Sequence, residues 1–240
     1  MKKFSRKSKF IILFAAIFVF FCGWYLVDFY HADVESVNKF LAEKQIEKNI
    51  LEDKTQVFGS ENAKIGFIFY PGGKVQAEAY VPLMTACVEK GILCCLVQMP
   101  FNLAIFDVNA ADGLQKKFPS IEKWYIGGHS LGGAMAASYL SKNKEKYEGL
   151  ILLASYSTED FSKSDLKILS IFGSEDKVLN YEKYQEYKKN LPENFTEVEI
   201  KGGSHAFFGM YGFQKGDGIA TITNEEQIYI TSQKIAEFVQ

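Results

Sequence analysis

Residues 123–142 read KWYIGGHSLGGAMAASYLSK, and this stretch decides the fold. Trp124, Tyr125 and Ile126 close a run suited to a strand, Lys123–Ile126. Leu131–Lys142 is rich in alanine and reads as a helix. Between them lies Gly128-x-Ser130-x-Gly132, a serine on a sharp strand-to-helix turn. Side chains at Gly128 and Gly132 would collide with neighbouring backbone, and the strained turn lifts the Ser130 hydroxyl above the sheet edge. The same turn aims the Leu131 backbone N–H at an oxyanion forming beside Ser130. The five-residue pattern alone is weak; its seat between strand and helix makes it specific.

Outward from this turn, strands and helices alternate. Toward the N-terminus, Ile65–Tyr70 is an apolar strand stopped by Pro71-Gly72-Gly73, and 77–90 is helical with Pro82 in its first turn. Residues 92–98, ILCCLVQ, are apolar on both faces, as a strand covered by helices on both sides must be. Residues 107–118 read as a helix. Toward the C-terminus come strands at 150–154 and 168–172, a helix at 181–191 and a strand at 197–200. Thr223-Asn-Glu-Glu226 is a capping box that opens a final helix. The alternation predicts an α/β fold with a mostly parallel sheet, helices on both faces and binding sites at the carboxyl ends of strands. Only 13 residues separate 150–154 from 168–172. There is no room for a large cap, which argues against an interfacial lipase with a mobile lid.

A serine hydroxyl needs a base, and the chain holds three histidines, His31, His129 and His205. In a site of this kind the partners follow in the order serine, acid, histidine, so only His205 qualifies. The acid must come from a strand end between the two. Asp176, after Gly173-Ser174-Glu175, fits best, with Asp160 and Glu175 as the alternatives. Asp165 and the helix glutamates read as surface charges. A second oxyanion donor is expected from the loop 70–75, through the backbone N–H of Gly73 or Lys74; a plain tight turn is the other reading of those glycines. His129 reads as a packing or hydrogen-bonding neighbour, His31 as solvated and Asp217 as a turn residue. Phe101, Phe106, Phe207, Phe208, Tyr211 and Phe213 fall near strand ends, as core or, for at least two of them, as the lining of an acyl pocket.

Together these segments resemble the α/β-hydrolase superfamily, and within it the small fold-5 group placed with dienelactone-hydrolase-like proteins. Beyond GGHSLGG at 127–133, the resemblance is carried by YPGGKV at 70–75, PFNLA at 100–104 and YGFQKGDG at 211–218, and it spans about residues 50–240. It implies a triad of Ser130, Asp176 and His205. Dienelactone hydrolases proper carry a cysteine nucleophile, and Ser130 is a departure that argues against dienelactone as substrate. The activity expected is hydrolysis of a small-molecule carboxylic ester or thioester through an acyl-enzyme on Ser130. An acyltransferase with the same triad is the alternative. A membrane-tethered binding protein that has lost the reaction is a third reading, against which the intact triad argues.

Upstream, FIILFAAIFVFFCGWYLV at 10–27 is an uncharged run of 18 residues. As a helix it spans about 27 Å, close to the ~30 Å of a bilayer's hydrocarbon core. Lys2, Lys3, Arg6, Lys7 and Lys9 precede it, and Trp24 and Tyr25 stand at its far end. That arrangement predicts a single-pass anchor in the cell membrane with the basic end inside and the catalytic domain on the extracytoplasmic side. A cleaved signal peptide fits less well. The run is longer than the usual ~7–15 residues, Phe-Cys-Gly-Trp-Tyr is a poor cleavage site, and Phe21 is too large for a lipoprotein-type cut at Cys22. Residues 1–30 are therefore read as basic tail and anchor. Residues 31–50 are read as a stalk with Val34, Val37 and Leu41 at helical spacing, and 51–240 as one domain.

The net charge of −2 hides five basic residues in the first nine, which leaves −7 for the remainder and no electrostatic case for nucleic acid. A composition of 48% hydrophobic and 23% charged residues excludes disorder. No Cys or His spacing suggests a metal, and no cofactor is expected. Cys87, Cys94 and Cys95 read as core thiols, with a Cys87 pairing to Cys94 or Cys95 as the alternative.

Overall fold

The computed structural model describes residues 6–42, 44 and 46–240. Lys2 and Lys3 lie outside the described residues, as do the side chains of Arg6 and Cys22. Helix α1 (Arg6–Val27) is continuous, and none of Lys7–Tyr25 is buried against the protein. It is long and apolar enough to cross a membrane, and it is not a core helix. Helix α2 (Val34–Leu41) is capped by Asp33, whose carboxylate accepts from the Ser36 N–H at 3.1 Å. The expected amphipathic helix is present, but it is no free stalk. Val37 and Ala32 are buried in the core, and the sheet begins inside 31–50, with β1 (Lys48–Ile50).

β1 pairs antiparallel with β2 (Gln56–Phe58). This hairpin is absent from the sequence reading because strands of three residues carry too little periodicity to be seen. β3 (Ile65–Tyr70) follows, then a 3₁₀ turn at Ala77–Tyr80 that leads into α3 (Val81–Val88), with Pro82 in the first turn where its missing N–H is harmless. β4 (Ile92–Leu96) ends two residues earlier than its apolar run. The helix expected at 107–118 shrinks to α4 (Leu114–Lys117). Asp107, Asn109 and Asp112 favour turns, and Gly113 adopts φ 79°, which a helix cannot contain. β5 (Lys123–His129) and α5 (Leu131–Ser141) flank Ser130. β6 (Gly149–Leu153), β7 (Lys167–Gly173), α6 (Tyr181–Tyr187), β8 (Thr196–Ile200) and α7 (Asn224–Val239) complete the fold. The capping box at Thr223 and Glu226 is formed in both directions.

The eight-stranded sheet runs β1-β2-β4-β3-β5-β6-β7-β8, and every pair from β4 to β8 is parallel. Alternation along each strand divides the core in two. Phe67, Phe69, Leu153 and Ile171 pack with α3 and α7 on one face. Ile68, Tyr70, Ile126 and Leu152 pack with α5 on the other. Both faces being covered is the reason the central strands lack polar positions. Cys87, Cys94 and Cys95 are free and buried, so the alternative pairing does not form, and burial pushes the Cys95 thiol up to about 12.

Candidate active site

Ser130 sits at the carboxyl end of β5 with φ 52° and ψ −123°, a conformation that a non-glycine residue adopts only when its surroundings hold it. Its N–H donates to the Leu153 carbonyl at 2.9 Å. Its own carbonyl accepts from the Ser155 hydroxyl at 2.7 Å and from the Ala134 N–H at 3.2 Å. The glycines leave room for this turn. A methyl group at Gly128 would lie 2.4 Å from the Tyr70 carbonyl oxygen, and one at Gly132 would lie 2.2 Å from it. The sequence foretold the glycines; Ser155 gave no signal, because its contact spans the β5–β6 boundary.

His205, in the loop after β8, and Asp176, in the loop after β7, are joined by a 2.8 Å hydrogen bond from Nδ1 to Oδ2, with both side chains 2% exposed. The other carboxylate oxygen of Asp176 accepts from the N–H groups of Val178 (2.9 Å) and Leu179 (2.8 Å). The acid is thus held from both sides. His205 Nε2 is buried and has no hydrogen-bond partner among the described residues. Ser130 and His205 line one cavity of about 380 Å³, but no direct hydrogen bond joins them here. Such bonds often tighten only when substrate is present. The alternative acids lie elsewhere: Asp160 is exposed and caps Ser162, and Glu175 accepts from Ser174.

The cavity's apolar lining comes from Leu131, Ala134, Met135, Ala154, Val178 and Leu179. None of the six aromatic residues considered for an acyl pocket contributes. Phe208 and Tyr211 are core, Phe207 packs against it, and Phe101, Phe106 and Phe213 are exposed. Strand-end position alone did not say which way those rings point. In the 70–75 loop, the Lys74 N–H donates to the Asn102 carbonyl at 2.7 Å, so it is engaged and not free for a substrate. Gly73 touches Leu131, since a methyl there would lie 3.0 Å from Leu131 Cδ2, and neither backbone N–H has an acceptor among the described residues. Leu131, next to Ser130 in the chain, and Gly73, against the Leu131 side chain, thus each keep a backbone N–H free of an acceptor among the described residues.

His129 is buried beneath His205, ring centroids 4.5 Å apart. The Tyr80 hydroxyl accepts from the Gly72 N–H at 3.1 Å and shares a hydrogen bond with His129 Nδ1, 2.8 Å away. Burial holds the His129 pKa well below the usual histidine range, and the neighbouring His205 pushes it the same way, against a weaker opposing interaction with the His205 backbone. Asp217 does more than close a turn. One oxygen accepts from Ala206 N–H at 2.9 Å, the other from Gly218 at 2.8 Å and Lys177 at 3.3 Å. It thereby ties the residue after His205 to the residue after Asp176. Gln227 on α7 clamps Ser204 through both its N–H and its carbonyl. Among the described residues no group of His, Cys, Asp and Glu could hold a metal.

This geometry has relatives. Residues 66–229 match the profile of the alpha/beta hydrolase family. The chain belongs to the alpha/beta hydrolase family. As a member it is a hydrolase. Similar solved structures include a dienelactone hydrolase from Anabaena variabilis, 15% identical with TM-score 0.58, covering 81% of this chain and 97% of that one. An esterase from Pseudomonas putida is 14% identical with TM-score 0.58, covering 86% and 89%. A carboxyl esterase from the fungus Tuber melanosporum is 10% identical with TM-score 0.59, covering 89% and 92%. At such identities the likeness is one of fold. No curated protein matches the chain.

Proposed function

We propose that this hydrolase cleaves carboxylic ester or thioester bonds through an acyl-enzyme on Ser130. The observation that carries the reading is His205: its Nδ1 is fixed by Asp176, while its Nε2 is buried, without a partner among the described residues, and next to the cavity that Ser130 lines. In the reaction, Ser130 Oγ bonds to the acyl carbon as its proton passes to His205 Nε2, and the N–H groups of Leu131 and Gly73 receive the oxyanion. The acyl–oxygen or acyl–sulfur bond breaks, and the alcohol or thiol leaves with that proton. Water then gives a proton to His205 and attacks the acyl carbon, which releases the carboxylic acid and restores Ser130. Asp176 keeps the Nδ1 proton in place throughout.

α1 is the membrane anchor in this reading, supported by its length, its exposed apolar surface and the basic residues before it. The domain stands on the extracytoplasmic side. The test is fluorophosphonate labelling and turnover of short p-nitrophenyl esters by the wild type and by Ser130→Ala. Labelling and turnover that vanish in the variant support the reading; a folded wild type that does neither refutes it. The intact mass of the mature protein should still include residues 10–27.

A further inference from the structure

We propose that the loop packed beside the Ser130 site lies against the bilayer that holds α1, and that the substrates are acyl esters residing in that bilayer. The proposal rests on the hydrolase reading and deepens it. Only Asp28 and Phe29 separate the end of α1 from Tyr30, so Tyr30 lies at most about 10 Å from the helix end. Tyr30 is docked on the active-site loop. Its N–H donates to the Lys74 carbonyl at 2.7 Å, and its carbonyl accepts from Gln76 at 2.9 Å, in a bridge with Val75. The Lys74 ammonium pairs with Asp28 at 3.0 Å and lies 4.3 Å over the Tyr25 ring. Tyr25 belongs to the aromatic pair that marks the membrane–water boundary. The loop carrying Gly73 is therefore held at headgroup level.

Exposed apolar side chains lie near this docking point. Phe101 and Asn102 are consecutive non-glycine residues in the left-handed region, at φ 53° and 55°, a strained arrangement that needs a reason. It leaves Phe101 59% exposed beside Phe106, 56% exposed, with ring centroids 5.8 Å apart and Ile105 59% exposed between them. On the other side of the tether, the Tyr30 hydroxyl accepts from Lys215 N–H, and nearby Phe213 is 66% exposed. In water these side chains are a liability; at a bilayer surface they are anchors. The patch adjoins the site. Leu103 and Leu131 both pack on Gly73, and Leu131 lines the Ser130 cavity.

The experiment uses the full chain in vesicles of phosphatidylethanolamine and phosphatidylglycerol. With Phe106→Trp, the added indole emission should be quenched by lipids brominated on their acyl chains; emission indifferent to bromine overturns the membrane contact. The triple variant Phe101→Ser, Ile105→Ser, Phe106→Ser should cleave a long-chain ester dissolved in the bilayer at least tenfold more slowly. Its turnover of a short soluble ester should be unchanged, since none of the three lines the cavity. Equal effects on both esters, or a wild type that cleaves only the soluble one, overturn the proposal. A wild type inert toward both refutes the hydrolase reading instead, and the quenching still decides the contact.

Discussion

Asp176→Asn separates the two functions of the acid loop. In the wild type one oxygen of Asp176 receives two backbone N–H groups and the other receives His205 Nδ1. Asparagine can keep its carbonyl on Val178 and Leu179 and turn its NH₂ toward His205. The reverse orientation would leave two N–H donors facing a donor, at about 1–3 kcal/mol each, so it loses. An NH₂ at His205 Nδ1 requires that nitrogen to be bare, which moves the ring proton to Nε2. The base then faces Ser130 as a donor. A wrong tautomer of this kind lowers turnover by ~10⁴, or about 5.5 kcal/mol of barrier. Asp176→Ala also orphans the two N–H groups, so it should be less stable than Asp176→Asn by about 2 kcal/mol or more. The assays are kcat on p-nitrophenyl acetate, the fluorophosphonate labelling rate and urea unfolding of both variants. An Asp176→Asn protein within tenfold of wild-type turnover refutes the tautomer argument. Equal stability of the Asn and Ala variants refutes the structural half.

Three further outcomes follow from the site. Gly132→Ala puts a methyl 2.2 Å and 2.3 Å from the carbonyl oxygens of Tyr70 and Pro71, backbone atoms that cannot step aside. It should lose about 3 kcal/mol, read as a lower melting temperature; a wild-type value refutes the close approach. His129 has a depressed pKa, so its stabilising contribution is present above the unfolded value near pH 6.5 and is lost as pH falls below it, at no more than about 1.4 kcal/mol per pH unit. His129→Asn should flatten stability measured from pH 7 to pH 5, and an unchanged slope speaks against a buried neutral ring. Asp217→Ala frees the Ala206 and Lys177 N–H groups, so kcat should fall about tenfold (about 1.4 kcal/mol) with KM unchanged. A KM effect instead would mean that Asp217 meets substrate.

The sequence by itself determined the strand–turn–helix at Ser130, because only glycine tolerates the approach of Tyr70 at 128 and 132. It also determined the order of the central strands' apolar runs, since a sheet covered on both faces admits no polar period. With a single eligible histidine, the sequence also pointed to His205, whose ring is hydrogen-bonded to Asp176. The tertiary structure alone decided the rest, since those contacts join segments far apart in the chain. It engaged the Lys74 N–H with Asn102, it left Phe101 and Phe106 out of the cavity lining, and it linked the loops that carry Asp176 and His205 through Asp217. It also laid residues 30–41 on the domain, where periodicity suggested only a stalk. Periodicity tells which residues are buried; which loop meets which is settled only when the sheet closes and brings strand ends distant in sequence to one edge.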